Sequence, residues 1–312
     1  MEFGVHIPVI VTEQSAPPLR DLVAYGVAAE RLGYTVVATT DHIVARGGWL
    51  DGPSIMAAIV AATERVQFMT AVLLPVVRHP AVVAQTFGSL DRMSDGRVIL
   101  GVGAGSLQDD YTLLGIPWEE RWARLDESIG VLRALWSDAN PRFDGRFYQL
   151  DGIGPKPLPV DGGPPIWIGS WGSPAGLRRA ARLGDGWIAS GYNISPERFE
   201  AAWQALGAER ARLGKAQEPF GNALGSVFTY ISDDPAELRR IARDILGPAL
   251  GRDPDELLRL ALLGTPERCA ERLAQFAAAG VQRVLIWPAA DPREQIERFA
   301  QQVIPLVRAQ AG

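Results

Sequence analysis

Arg97-Val-Ile-Leu-Gly-Val-Gly-Ala-Gly-Ser106 closes the stretch of sequence, residues 66–106, that decides the fold. An apolar run over Val66–Leu74 predicts a strand, the periodicity over Ala81–Met93 predicts a helix, and Arg97–Gly103 predicts a second strand. A crossover of this length makes the two strands parallel and neighbouring. Parallel sheets bind ligands at the carboxyl ends of their strands, and alternate glycines there let a flat ligand approach the backbone. The motif predicts such a site at Gly101, Gly103 and Gly105, the alternative being a tight strand-to-helix turn.

The same strand–helix alternation extends along the whole chain. Further strands are predicted over Phe3–Ile7, Tyr34–Thr39, Pro165–Gly169, Trp187–Ser190, Ala223–Ile231 and Val281–Trp287. Helices are predicted over Leu19–Leu32, Ser54–Thr63, Glu119–Trp136, 174–183, 195–213, 233–246, Pro266–Ala279 and 292–309. Eight such units predict a closed (β/α)8 barrel, a TIM barrel, as one domain over residues 1–312. The alternative to the barrel is an open doubly wound sheet. Two loop insertions are also expected, a strand over Phe143–Leu150 and a helical excursion over 247–262.

Composition excludes several classes of protein. The net charge of −5 provides no basic surface for nucleic acid or an anionic membrane. No window approaches the length of apolar sequence that a membrane helix needs, and residues 1–8 lack the basic segment and long apolar stretch of a secretory signal, so neither is expected. Cys269 is the single cysteine, so a disulfide within the chain is excluded. The composition therefore favours a cytoplasmic protein.

Several catalytic motifs can be tested directly and are absent. A dinucleotide-binding G-x-G-x-x-G would need glycine where Ser106 or Gln108 stands, so a Rossmann site is not predicted. Neither a G-x-S-x-G nucleophile elbow nor an H-E-x-x-H zinc motif occurs. The three histidines are far apart in sequence, and we expect no metal site.

Asp41 and His42 directly follow the second predicted strand, at the rim where barrel enzymes place catalytic residues. A histidine there can hold or deliver a proton near neutral pH. The alternative is that Asp41 caps the next segment while His42 fills the barrel mouth. Aromatic residues that could line this mouth are Trp49, Trp118, Trp171, Trp187 and Trp287.

A second candidate site joins the fifth predicted strand to the helix that begins at Pro174. The amides and hydroxyls of this small-residue loop suit a phosphate group at a helix N-terminus. The alternative is an ordinary capped turn. The loop consists of Gly169, Ser170, Trp171, Gly172 and Ser173.

These motifs, in this order, resemble the luciferase-like flavin and deazaflavin oxidoreductases. The blocks that carry the resemblance are Thr40–His42, Leu74–Pro80, Leu90–Arg97, Gly101–Gly105, Pro165–Gly169, Leu183–Trp187 and Gly264–Glu267. The resemblance implies a (β/α)8 barrel, usually a homodimer, that binds the deazaflavin F420 or FMN in its mouth. It places the phosphate of the cofactor against Gly169–Ser173, and its ring against Asp41, Ala71, Val72, Gly103 and Ala104.

Two details of the resemblance concern chemistry. His42 matches the histidine that F420-dependent sugar-phosphate dehydrogenases use beside the ring, whereas Ser106, also in the cofactor site, stands where they carry a glutamate. The family also has a bulge beneath the ring, which predicts a cis peptide bond between Ala71 and Val72. Since a serine is a poor acid, His42 is the expected proton carrier, with Asp109 and Asp110 in reserve.

The resulting hypothesis is an oxidoreductase that transfers a hydride between F420 and a small organic substrate. F420 is favoured over FMN because the Thr-Asp-His and Arg-His-Pro blocks look more like the F420-dependent branch. One alternative is an FMN-dependent monooxygenase that uses O2 and a separate flavin reductase, and an F420 reductase is a further candidate partner. Another is a non-catalytic protein that binds a flavin or F420.

Overall fold

A computed structural model of the protein describes residues 1–11, 16–44 and 48–310. Within them, one sheet contains nine parallel strands, and a separate hairpin contains two antiparallel strands. In chain order the strands are β1 (Glu2–His6), β2 (Val36–Thr39), β3 (Gln67–Thr70), β4 (Val98–Val102), β5 (Arg142–Asp144), β6 (Gln149–Asp151), β7 (Ile166–Gly169), β8 (Gly186–Ser190), β9 (Gly221–Ile231), β10 (Leu262–Gly264) and β11 (Arg283–Pro288).

Eight of the parallel strands close into a barrel, which confirms the predicted fold. Their order is β11-β1-β2-β3-β4-β7-β8-β9, and β9 pairs back onto β11. Strand β10 was not predicted, and it extends the far end of β9 outside the ring, where Leu262 lies opposite Thr229. The predicted strand over Phe143–Leu150 is wrong, because the chain turns inside it and forms the β5–β6 hairpin.

Helices surround the barrel on the outside. They are α1 (Leu19–Arg31), α2 (Gly52–Val60), α3 (Pro75–Arg78), α4 (Pro80–Met93), α5 (Gln108–Leu113), α6 (Arg121–Ser137), α7 (Pro174–Leu183), α8 (Pro196–Arg212), α9 (Pro235–Arg240), α10 (Gly247–Leu250), α11 (Pro254–Leu260), α12 (Pro266–Ala278), α13 (Pro292–Arg298) and α14 (Ile304–Gln310). Across the described ranges, no helix combines the length and apolar character needed to cross a membrane.

The Ser/Thr/Asp-Pro dipeptides of the sequence begin several helices. Ser173, Ser195, Asp234 and Thr265 each accept a hydrogen bond from a backbone amide of the first turn. The proline that follows each of them has no N–H of its own, so one fewer amide needs a partner. These starts fix where the chain leaves the barrel rim after its strands.

The third strand ends earlier than its apolar run predicts. Strand β3 stops at Thr70, and the Ala71–Val72 peptide bond is cis, as expected. Beyond it, the Leu73 amide donates to the Gly101 carbonyl at 2.8 Å, and the Gly103 amide donates to the Leu73 carbonyl at 3.0 Å. The chain therefore bulges at 71–72 and then rejoins the edge of β4.

At this bulge the Val72 side chain packs against two glycines, Gly103 directly after β4 and Gly169 at the end of β7. A Cβ at Gly103 would lie 2.7 Å from Val72 Cγ2, and a Cβ at Gly169 would lie 2.7 Å from Val72 Cγ1. Glycine is needed at both positions because the Val72 side chain occupies the space between them. The Val72 side chain therefore fills the space that side chains at these two positions would need. It forms the floor of the barrel mouth.

Gly103→Ala should therefore destabilise the protein by about 1–3 kcal/mol, the usual cost of overpacking a stiff β-branched neighbour. Val72→Ala in the same chain should recover most of that loss, because it removes the contacted methyl groups. Urea unfolding of the two single variants and the double variant measures this coupling. Additive losses in the double variant would show that the two side chains do not compete for one space.

Candidate functional site

His42 is held in the barrel mouth by a buried carboxylate. Its Nδ1 lies 2.8 Å from Oδ2 of Asp110, a side chain that is fully buried in the first turn of α5. The other oxygen of Asp110 accepts the backbone amides of Ile43 and Val44, both at 2.8 Å. Asp110 therefore fixes both the imidazole and the chain segment that carries it.

The same contacts set the charge of Asp110 and the tautomer of His42. Burial favours the neutral carboxyl, but hydrogen bonds from His42 and from the amides of Val44 and Ile43 outweigh burial and lower the pKa of Asp110. An ionised carboxylate can only accept, so Nδ1 of His42 carries a hydrogen and Nε2 is free to exchange a proton. His42 is thus oriented as a general base or acid, and Asp110, named in reserve, is its partner.

Asp41 lies beside His42 in sequence, but its carboxylate pairs with Arg78 and not with the imidazole. Its carboxylate accepts Nε and a terminal nitrogen of Arg78 at 2.8 and 2.6 Å, and also the Leu74 amide at 3.1 Å. Arg78 is shared with Asp51 at 2.6 Å, the residue that caps α2. Burial opposes the charge of Arg78, yet the two carboxylates raise its pKa above the ordinary value. This arrangement ties the loop after β2 to the bulge after β3.

The remaining residues predicted for the ring site lie around the bulge. Ala71 and Ala104 are buried, Val72 is half-buried between two glycines, and the Ala104 carbonyl accepts the Tyr111 hydroxyl. Ser106 is exposed in the turn between β4 and α5. The structure thus brings Val72, Gly103 and Gly169 together as one surface, with Ser106 at its rim.

The loop predicted for phosphate leads into the N-terminus of α7. Ser170 Oγ accepts the Gly172 amide at 3.2 Å, and Ser173 Oγ accepts the Gly176 amide at 3.2 Å. Gly172 has φ +81°, and a Cβ there would meet only side-chain atoms, at 3.6 and 3.7 Å. Trp171 is 58% exposed at the tip of the loop. The loop is an open turn at the positive end of a helix dipole.

The mouth is completed by His6, which the sequence analysis did not assign to it, and by Trp49 and Trp287, which were predicted to line it. His6, at the carboxyl end of β1, stacks on Trp287 with ring centroids 4.6 Å apart. The Trp49 ring packs edge-on against both Trp287 and His42, with ring centroids 6.1 and 4.9 Å apart. The available signal was the position of His6 near the end of a predicted strand, two residues before Pro8. Of the other tryptophans proposed for the mouth, Trp187 stacks on Phe199 and Trp118 packs against Tyr111.

The opposite end of the barrel has a groove of about 420 Å³ between the end of α6 and the starts of β7 and β8. Two of its three charged residues, Arg133 and Asp185, pair with each other at 3.0 Å. The histidines that could exchange a proton or donate a hydrogen bond to a ligand, His42 and His6, lie instead at the carboxyl ends of the strands. The mouth, and not this groove, is the candidate active site.

Comparison with known proteins identifies the family of this chain. The profile of the luciferase-like monooxygenase family matches residues 1–283. An F420-dependent glucose-6-phosphate dehydrogenase of Beutenbergia cavernae is 32% identical, with 95% of this chain and 95% of that protein covered. Its counterpart from Mycobacterium tuberculosis is 30% identical, with 95% of this chain and 96% of that protein covered.

A solved structure of similar shape is an F420-dependent secondary alcohol dehydrogenase in complex with an F420–acetone adduct. It has a TM-score of 0.85 at 22% identity, and the match covers 98% of this chain and 99% of that one. This likeness supports the barrel fold, while the profile match and the full-length sequence relatives identify the family. The chain therefore belongs to the luciferase-like monooxygenase family.

Proposed function

We propose that this protein is an F420-dependent oxidoreductase that transfers a hydride between F420 and a small organic substrate. The observation that carries the proposal is the His42–Asp110 pair at the mouth of a barrel whose full-length relatives, 30–32% identical, are named F420-dependent dehydrogenases. A proton carrier at this position is what a dehydrogenase needs beside a hydride acceptor.

The residues present suit a cofactor with a flat ring and an anionic tail. Val72 offers a flat apolar floor between two glycines, and the loop before α7 offers amides and a partial positive charge. Buried polar atoms without a partner among the described residues also occur in this mouth, on His6, Thr40 and Trp49. We therefore assign the ring to the surface of Val72, Gly103 and Ala104, and the phosphate to Gly169–Ser173.

F420, when bound, supplies the acceptor or donor of a hydride. The protein supplies the proton path: Nε2 of His42 takes the proton released as a substrate is oxidised, or returns one as it is reduced. Asp110 keeps that nitrogen free and stabilises the imidazolium form. Asp41 has both oxygens engaged, so we assign it to positioning of the mouth.

The substrate we propose differs from that of the named relatives. By the resemblance described above, those dehydrogenases carry a glutamate at the position of Ser106. An exposed serine hydroxyl cannot replace a carboxylic acid as a proton donor or acceptor at neutral pH. We therefore expect little or no activity with glucose 6-phosphate. Assay of F420 reduction with this sugar phosphate, in parallel with neutral alcohols, tests the expectation.

Titration of the purified protein with F420 and with FMN tests the proposal directly. We expect saturable quenching of F420 fluorescence at a stoichiometry of one per chain, and much weaker binding of FMN. Preferential binding of FMN, together with NADH-dependent oxygen consumption when a flavin reductase is added, would instead identify a monooxygenase. Tight binding of F420 without turnover of any alcohol or ketone would identify a binding protein.

Gly172→Asp should weaken F420 binding about tenfold or more, because a carboxylate would face the anionic tail of the cofactor. The φ of +81° strains any side chain there, so the matched control is Gly172→Asn, which has the same size and similar backbone tolerance without the charge. The two variants should unfold at similar temperatures when empty. Equal F420 affinity in both would place the phosphate elsewhere.

A further inference from the structure

His6 is a buried histidine that the proton path described above does not use. It is 1% exposed and ends β1 on the same strand face as Gly4, whose added Cβ would meet Val36 and Leu285 inside the barrel. Its ring stacks on Trp287, which joins it through Trp49 to His42. The two histidines therefore belong to one continuous aromatic lining of the mouth.

One hydrogen bond determines the tautomer of His6. The Ser226 amide donates to Nε2 at 3.3 Å, at a point where β9 bulges and Ser226 has φ +53°. Burial lowers the pKa of His6 to about 3, so the ring is neutral at physiological pH. A neutral imidazole whose Nε2 accepts must carry its hydrogen on Nδ1. His6 thus contains a fixed N–H donor.

That donor has no partner within the described residues. Leaving a buried donor unpaired is costly, so its presence at a ligand-binding mouth points to a partner that the ligand brings. His6 brings no positive charge, so a phosphate or carboxylate held here would be a buried charge without a counter-charge, whereas a neutral oxygen would not. Thr40 Oγ1, also buried and without a partner among the described residues, belongs to the same rim two residues beyond Ala38, which lies opposite His6.

The surroundings favour the same kind of ligand. Trp49, Tyr192, Phe228 and Trp287 form an aromatic wall, with successive ring centroids 6.1, 5.3 and 5.4 Å apart from Trp49 through Trp287 and Phe228 to Tyr192. Arg252 lies over Tyr192, but its charge is balanced by Glu256 at 3.1 Å and its guanidinium also bonds Asn193. An aromatic wall with a neutral donor suits an apolar molecule that carries one uncharged oxygen.

We propose that His6 is a further ligand-binding residue of the active site, whose Nδ1–H donates a hydrogen bond to the carbonyl or hydroxyl oxygen of an uncharged, apolar substrate. This inference rests on the proposed function, since it places the oxygen-bearing carbon between His6 and the cofactor site on β3, β4 and β7. The two histidines then have different roles in the reaction. His42 moves the proton, and His6 orients the oxygen without changing charge.

Two substitutions separate this role from a structural one. The amide nitrogen of Asn superimposes on Nδ1 of histidine, and the amide oxygen of Gln superimposes on Nε2. His6→Asn therefore keeps a donor toward the ligand and loses the acceptor for Ser226. His6→Gln keeps the acceptor for Ser226 and loses the donor.

The test is the affinity of the F420-loaded enzyme for cyclohexanone and for methylenecyclohexane, which has the same shape without the oxygen. Isothermal titration calorimetry gives both dissociation constants for each variant. We expect wild type and His6→Asn to prefer the ketone roughly tenfold, and His6→Gln to show no preference. Thermal unfolding of each variant without F420 reports the structural contribution separately.

The outcomes are distinguishable. Failure of the wild type to bind F420 overturns the proposed function and this inference together. F420 binding without preference for the ketone, or a preference kept by His6→Gln and lost by His6→Asn, overturns the role of His6 alone. The second pattern would show that His6 only supports the bulge of β9.

Discussion

His42→Ala is expected to lower turnover by about 10²- to 10⁴-fold, the usual loss when a general acid or base is removed. The reason is that Nε2 of His42 is the nitrogen left free by the contact of Nδ1 with Asp110. The affinity for F420 should change far less, because the ring and phosphate surfaces lie on other elements. Steady-state kinetics with the best alcohol found, together with an F420 titration, measure both quantities.

Ser106→Ala provides the comparison for that experiment. The Ser106 hydroxyl is exposed at the rim of the mouth, and we expect its removal to have only a small effect on turnover. If the serine variant were inactive and the histidine variant nearly normal, a mechanism in which a hydroxyl positions the substrate would replace the one proposed here.

Asp110→Asn is expected to reduce turnover almost as far, by about 10²- to 10⁴-fold, with little change in shape. Oδ1 of Asp110 accepts two backbone amides, so the single oxygen of asparagine will stay with them. The amide NH2 then faces Nδ1 of His42 and forces that nitrogen to accept. His42 is left in the wrong tautomer, with its hydrogen on Nε2.

Asp109→Asn is the matched control, since it makes the same chemical change one residue away on an exposed side chain. It should leave turnover near the wild-type value. A loss of activity in Asp109→Asn with normal activity in Asp110→Asn would transfer the proton-transfer role to Asp109. Activity at the wild-type level in both variants would show that the tautomer of His42 does not limit turnover.

The stability of the protein should depend on pH through the same carboxylate. Because the contacts lower the pKa of Asp110 in the folded state, its ionised form stabilises the fold above the pKa of an unfolded aspartate. That contribution is lost as the pH falls through the lower, folded-state pKa. Asp110→Asn should therefore flatten the acid side of a plot of melting temperature against pH, which calorimetry at several pH values measures.

Local patterns were sufficient for the barrel and for the position of its mouth. Each barrel strand was predicted, because an apolar run between turn residues is a short-range signal, and the capping residues marked the helix starts. Strand ends were predicted wrongly where tertiary contacts override the apolar run. The third strand was predicted to reach Leu74 but ends at Thr70, because Leu73 then hydrogen-bonds to Gly101 of β4 and to Gly103 just after it. The β5–β6 hairpin and β10 were missed for the same reason, since their partners are set by packing.

The sequence by itself determined the (β/α)8 barrel, the rim that carries Asp41 and His42, and the helix N-terminus after Gly169. Only the tertiary structure decided which groups act together. It joined His42 to Asp110, 68 residues away, and His6 to Ser226, 220 residues away. The physical reason is that periodicity reports which face a residue occupies, whereas a hydrogen-bond partner, and hence a tautomer, depends on how distant strands and loops converge.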